Sequence, residues 1–228
     1  DIAHPASVHF FKNIIKKLSK NGHNILVLAR NKDITLNLLD AFDIKYIILG
    51  NHYKTLFGKL FGAVSHIVKM VYYSLRYKID ILVDAGTIYP SLVSYITRSE
   101  NIIIDNTDVD FTLDFTKLFN PTYVTNSSFS RKMTKKHIFI DSFNELSFLH
   151  PIHFTPNFNI LSNIGISKNE KIILLRFVLW NSVDDIGHSG YNLDEIRKLV
   201  KEFSKFGTVL ISSEYELSDD LSPFCIEK

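Results

Sequence analysis

Residues 80–106 read DILVDAGTIYPSLVSYITRSENIIIDN. Two short apolar runs, DILVDAG and NIIIDN, flank a stretch from about Pro90 to Thr97 that reads as a helix. An apolar run without polar alternation is the pattern of a strand buried on both faces. Strand, helix and strand in that order imply parallel strands joined by right-handed crossovers. The rhythm extends upstream. Phe11, Ile14, Ile15 and Leu18 recur at helical spacing after Val8, and Asn21-Gly22 supplies a stop. NILVLAR and KYIILG read as strands with a helix through ITLNLLDAF between them, and a long amphipathic helix runs from about Leu56 to Tyr77.

Downstream of residue 106 the pattern weakens. YVTNSSFSRK and HIFIDS read as less regular structure, and the proline-bearing LHPIHFTPNFN reads as a linker. The pattern then restarts with KIILLRFVLW as a strand, the polar loop NSVDDIGHSGYN, a helix from about Leu193 to Phe206 and the strand TVLISS. The expected fold class is α/β. A Rossmann-like parallel-sheet domain occupies 1–148, a linker 149–168, and the beginning of a second Rossmann-like domain 169–228. The chain opens without Met on what reads as a strand-to-helix turn and stops soon after a strand, so it is expected to be a fragment truncated at both ends.

Composition narrows the classes. With 228 residues, 46% hydrophobic and 22% charged, disordered, collagen-like and coiled-coil readings fall away. The single Cys225 allows no internal disulfide and favours a reducing compartment. A net charge of +2 does not call for nucleic acid, and KKLSK and RKMTKK read as solvated helix faces. No run approaches the roughly 18 apolar residues of a membrane span, and no signal segment opens the chain, so the expected location is cytoplasmic. The helix near residues 56–77 mixes Phe57, Phe61, Tyr72 and Tyr73 with Lys54, Lys59, Lys69, Arg76 and Lys78. Such a surface could touch an anionic bilayer peripherally, or be a core stripe with a wet basic side.

In open parallel sheets, ligands bind beyond the carboxyl ends of the strands. Four loops there carry chemistry. DIAHPASVH places His4, Ser7 and His9 at a helix start, where free amides and the positive dipole end suit phosphate or carboxylate. Ser7 as a plain helix cap and His9 as a packing residue is the competing reading. DAGTIYPS offers Asp84, Gly86 and Thr87, and IIIDNTDVD offers Asp105 and Asp108. A carboxylate at a strand end can accept sugar hydroxyls or act as a base, and Gly86 lets the backbone approach a ligand. The fourth loop, LLRFVLWNSVDDIGHSG, holds Arg176, Asn181, Ser182, Asp185, His188 and Gly190 and reads as a phosphate or ribose cradle. Neither G-x-G-x-x-G, H-E-x-x-H nor G-x-S-x-G occurs, so no dinucleotide cofactor, metal or serine nucleophile is expected.

Taken together, HPASVHFFKNIIKKLSKNGH, NELSFLHP and LLRFVLWNSVDDIGHSG resemble the domain-of-unknown-function 354 family of archaeal and bacterial proteins, along essentially the whole chain. Members look like two-domain glycosyltransferase-B proteins, the architecture of the lipid II N-acetylglucosaminyl transferase and the non-hydrolysing UDP-N-acetylglucosamine 2-epimerases. By position, the resemblance implies that His4, Ser7 and His9 lie in the acceptor-side loop and that residues 176–190 hold the donor's phosphates. DNTDVD stands where a D-T-E-like stretch is usual in the family. The expected function is metal-independent, glycosyltransferase-like transfer from a nucleotide-sugar to an unknown acceptor, in cell-surface or polysaccharide synthesis. His9, Asp105 and Asp108 are the candidate catalytic groups, and no cofactor is needed beyond the nucleotide-sugar substrate. Two alternatives stand beside it: a sugar-nucleotide epimerase, and a non-catalytic sugar-nucleotide or glycan binding module.

Overall fold

A computed structural model describes residues 1–51, 56–106, 111–157, 159–167, 169–179, 187 and 189–226 of the chain. They form two compact units, Asp1–Thr155 and Pro156–Lys228.

The first unit begins with α1 (Pro5–Lys20), which buries Val8 and Phe11. It ends where the Asn21 amide donates back to the Lys17 and Leu18 carbonyls and Gly22 takes a left-handed turn. Next come β1 (Leu28–Asn31), α2 (Thr35–Ala41), β2 (Ile47–Asn51), α3 (Leu56–Arg76), β3 (Ile81–Asp84), α4 (Ile88–Thr97), β4 (Glu100–Ile104), α5 (Phe111–Thr116), β5 (Thr122–Asn126), β6 (Ile138–Ile140) and α6 (Leu146–Leu149). β1 pairs with β2, and β3, β4, β5 and β6 form a second ladder in that order, every pair parallel.

The chain's opening residues join these ladders. The Ile2 amide donates to Leu28 O at 2.8 Å, Ile2 O accepts from the Arg30 amide at 3.0 Å, and the Asp1 nitrogen reaches Val83 O at 2.8 Å. The order across the sheet is therefore β2, β1, residues 1–2, β3, β4, β5, β6. The order reverses between residues 1–2 and β3, and such a reversal opens a crevice beyond the strand ends.

Alternate residues of the strands feed opposite faces. Val27 and Ala29 pack with Ile2, Val8, Phe11 and Leu39 under α1 and α2. Leu28 joins Leu49, Met70, Leu82 and Val93 under α3 and α4 on the other side. Burial on both faces explains the unbroken apolar runs of the sequence.

Three expectations are corrected. NILVLAR gives a shorter strand, Leu28–Asn31, with only the Val27 carbonyl ahead of it accepting from the Ile47 amide of β2. α4 starts two residues before Pro90, in the first turn, where a helix tolerates a missing N–H. The stretch 123–141 is not irregular but carries β5 and β6. β5 hides in the sequence because its buried positions, Tyr123, Thr125 and Asn126, carry polar groups, and β6 because it is three residues long with none of them buried. The Tyr123 hydroxyl meets Thr116 Oγ1 at 2.5 Å, Thr125 Oγ1 meets His137 Nε2 at 2.9 Å, and His137 Nδ1 accepts from the Met133 amide.

In the second unit, α7 (Asn159–Asn163) precedes β7 (Ile172–Phe177), α8 (Leu193–Phe203) and β8 (Thr208–Ser213). β7 and β8 are parallel neighbours, and Phe177, Ile196, Val200, Val209, Ile211 and Leu221 form their core. Asn192 caps α8 in a reciprocal box: its side chain accepts from the Glu195 amide and the Glu195 carboxylate accepts from the Asn192 amide. Such a cap contributes about 1 kcal/mol. Among the described residues, no helix is long and apolar enough to cross a membrane.

Candidate functional site

The switch in strand order gathers a polar cluster at the carboxyl ends of β1, β2, β3 and β4. Asp84 closes β3 and is fully buried. Its Oδ1 accepts from the Thr87 amide at 2.8 Å and its Oδ2 from Asn101 Nδ2 at 3.0 Å. Asn101 also donates to Leu82 O and accepts from the Ser91 hydroxyl at 2.6 Å, so the network ties α4 to β4 beneath the site. Burial pushes the Asp84 carboxyl up to about 6, even though the Asn101 and Thr87 hydrogen bonds favour its charged form; the charge of Asp105 adds to the rise. The carboxyl thus sits close to the range where a proton is readily exchanged near neutral pH.

Gly86 makes the neighbouring approach feasible. Its φ is +79°, and a Cβ there would collide with Asp105 Oδ2. The close approach at Gly86 is thus made by a carboxylate of the same chain, whereas the sequence reading assigned it to a ligand. Asp105, at the end of β4, accepts from the Asn106 amide at 2.7 Å. Thr87 caps α4 by position, and its hydroxyl donates to Asp1 Oδ2 at 3.3 Å.

The same Asp1 oxygen takes the Arg30 guanidinium at 2.5 Å. The guanidinium lies over the Tyr89 ring, 4.7 Å from its centroid, and Tyr89 meets His66 edge-on at 6.2 Å. His66 comes from α3, and Gly50 leaves room for it: a Cβ at Gly50 would lie 2.9 Å from His66 Nε2. Burial, reinforced by the charges of Arg30 and Lys69, lowers His66 to about 4, so the imidazole is neutral near pH 7. Asp1 Oδ1, Arg30 Nε and His66 Nε2 are buried without a hydrogen-bond partner. Three such atoms in one cluster are uncommon, because each costs free energy that structural packing alone would avoid.

Asp84, Gly86, Thr87 and Asp105 are therefore brought together as the sequence suggested. The first loop is divided. Asp1 joins the cluster, whereas His4 is the exposed N-cap of α1, accepting from the Ala6 amide at 3.3 Å. The cap is His4 and not Ser7. His9 packs between Phe42 and Phe148, with ring centroids at 5.6 and 5.7 Å, and its basicity is lowered by burial and by Lys12. Its ring contacts are Phe42, just past the end of α2, and Phe148 of α6, which favours the packing reading. Arg30, Tyr89, Asn101 and His66 escaped the sequence reading. For Arg30 the signal was present: a charged residue closing the buried run NILVLAR obeys the same strand-end rule.

In the second unit an open cavity of about 960 Å³ lies beyond β7, lined by Val178, Leu179, Gly190, Tyr191, Arg197 and Tyr215 among others. Arg176 does not stand ready for an anion, because its guanidinium binds Glu214 at 2.8 Å. The other Glu214 oxygen accepts from the Leu179 amide. The start of α8 is likewise occupied by its capping box and by Asp194 and Glu195, whose charges oppose a phosphate. Asp108, Asn181, Ser182, Asp185 and His188 lie outside the described residues. Among the described residues, no three His, Cys, Asp or Glu side chains gather to hold a metal.

A parallel α/β unit with a mid-sheet reversal, followed by a second parallel α/β unit, is the glycosyltransferase-B class of fold. UDP-GlcNAc 2-epimerase from Neisseria meningitidis, solved bound to UDP-GlcNAc, has a TM-score of 0.65 at 14% identity, with 98% of this chain and 66% of that chain covered. A glycosyltransferase from Rickettsia africae gives 0.54 at 11% identity, covering 96% and 67%. MurG from Acinetobacter baumannii gives 0.51 at 11% identity, covering 90% and 56%. The chain thus spans between 56% and 67% of the length of these proteins. It belongs to the family described as protein of unknown function, DUF354, whose model matches residues 1–211. Among curated proteins, none matches it in sequence.

Proposed function

We propose that the chain is part of a nucleotide-sugar-dependent enzyme of the glycosyltransferase-like kind, in which the Asp84–Asp105 crevice receives the acceptor. The observation that carries this reading is a buried carboxyl held near neutrality beside a second carboxylate at a switch in strand order. Asp105 is the general base: it takes the proton of an acceptor hydroxyl while that oxygen attacks the anomeric carbon and the nucleoside diphosphate departs. Asp84, fixed by Asn101 and Thr87, sets the electrostatics around it. His9 is less suited to the role because its ring is sandwiched by Phe42 and Phe148. The cavity beside Tyr191 and Tyr215 receives the donor's nucleobase, which its aromatic rings suit, while Asp194 and Glu195 turn the phosphates away from the start of α8.

The paired carboxyls also favour a second reading, epimerisation of the nucleotide-sugar. Two titratable groups whose environments differ can serve as base and acid in turn. Product analysis on the full-length protein separates the readings. Nucleoside diphosphate released only with an acceptor indicates transfer, and an isomerised sugar nucleotide without an acceptor indicates epimerisation. Asp105→Asn is expected to lower turnover by about a hundredfold or more, with donor affinity from calorimetric titration of UDP- and GDP-sugars nearly unchanged. Donor binding without turnover in the wild type would leave only a binding module, and absence of donor binding would remove the nucleotide-sugar reading.

A further inference from the structure

Helix α3 has two unlike sides. Inward, His66, Met70 and Ser74 are buried at four-residue spacing, with Met70 packed on Leu49, Leu82 and Val93. Outward, Leu60, Phe61, Val64, Val68, Tyr72 and Leu75 are all exposed, Leu60 at 66%, Phe61 at 69% and Val68 at 61%. At 3.6 residues per turn these six side chains fall within an arc of about 120° opposite the buried stripe, and the strip is about 22 Å long. An outward helix face is normally polar. A continuous apolar face of this extent marks a surface that something covers.

Charge decides what covers it. Residues 56–76 contain no Asp or Glu. Exposed Lys69, Arg76 and Lys78 rim the strip. The Arg76 guanidinium is steadied by the Tyr72 hydroxyl at 3.2 Å and the Tyr77 ring, while Lys69 donates to Leu49 O at 2.6 Å. A second copy docking through the same face would bring two cationic rims together with no acidic partner on either helix. A bilayer with anionic headgroups offers hydrocarbon to the strip and counter-charge to the rim. Exposed Tyr72 and Tyr77, apolar in the ring and polar at the hydroxyl, match the headgroup boundary.

We propose that the outward face of α3 seats the protein on an anionic lipid bilayer, with the helix lying in the plane of the surface and not crossing it. The proposal does not depend on the reaction assigned above. Full-length protein is sedimented with vesicles of phosphatidylcholine alone and of phosphatidylcholine mixed with phosphatidylglycerol. Partition into the mixed vesicles is expected, and high salt should release it. Val64→Asp combined with Val68→Asp should lower partition about tenfold or more, with the thermal midpoint unchanged. Arg76→Gln and Lys78→Gln should each lower it about fivefold, on anionic vesicles only. No partition, equal partition into neutral vesicles, or indifference to the Val64 and Val68 changes overturns the proposal. So does a lipid-free dimer that Val68→Asp dissociates, which would give the face to a second copy.

Discussion

Asp84 is wholly out of solvent with its carboxyl pushed up to about 6, whereas an Asp in an unfolded chain titrates near 3.9. The folded state therefore binds the extra proton between about pH 4 and 6, so stability falls as pH rises through that window. Asp84→Asn should flatten this slope. Urea midpoints of wild type and variant between about pH 4 and 7 measure it, and parallel slopes would refute it. Gly86 gives a second test at this scale. Gly86→Ala combines a strained φ with a collision against Asp105, and should cost about 1–3 kcal/mol in thermal stability as well as displacing the proposed base.

Among the elements, β3 and β4 follow the sequence closely because Leu82 and Ile103 are buried among apolar side chains within runs that stay apolar. β5 does not, since Tyr123 and Thr125 are buried through hydrogen bonds that no hydrophobic period reveals, and β6 is too short, with no residue buried, to show a period. The strand-end rule points to Asp84, Thr87 and Asp105, and Arg30, which closes NILVLAR, obeys it too. His66 and Asn101 were out of its reach. One lies mid-helix and the other mid-strand, and only the packing of α3 and α4 on the sheet carries them to the cluster. That packing is itself testable. Met70 is fully buried on the inward side of α3, and Met70→Ala should cost about 2–5 kcal/mol by urea denaturation.

At the scale of the molecule, each unit has its own core, and two cores need not melt together. Heating is expected to give two separable transitions, one lowered by Met70→Ala and the other by Ile196→Ala. A single transition moved equally by both would show one cooperative body. The Asp1 bond to Val83 has a last consequence. It spans 82 residues, so the two ladders can each assemble from near neighbours while the seam between them waits for a long loop to close. Residues 1–2 can pair with β1 as soon as it forms, whereas the crevice comes into being only when β3 reaches them.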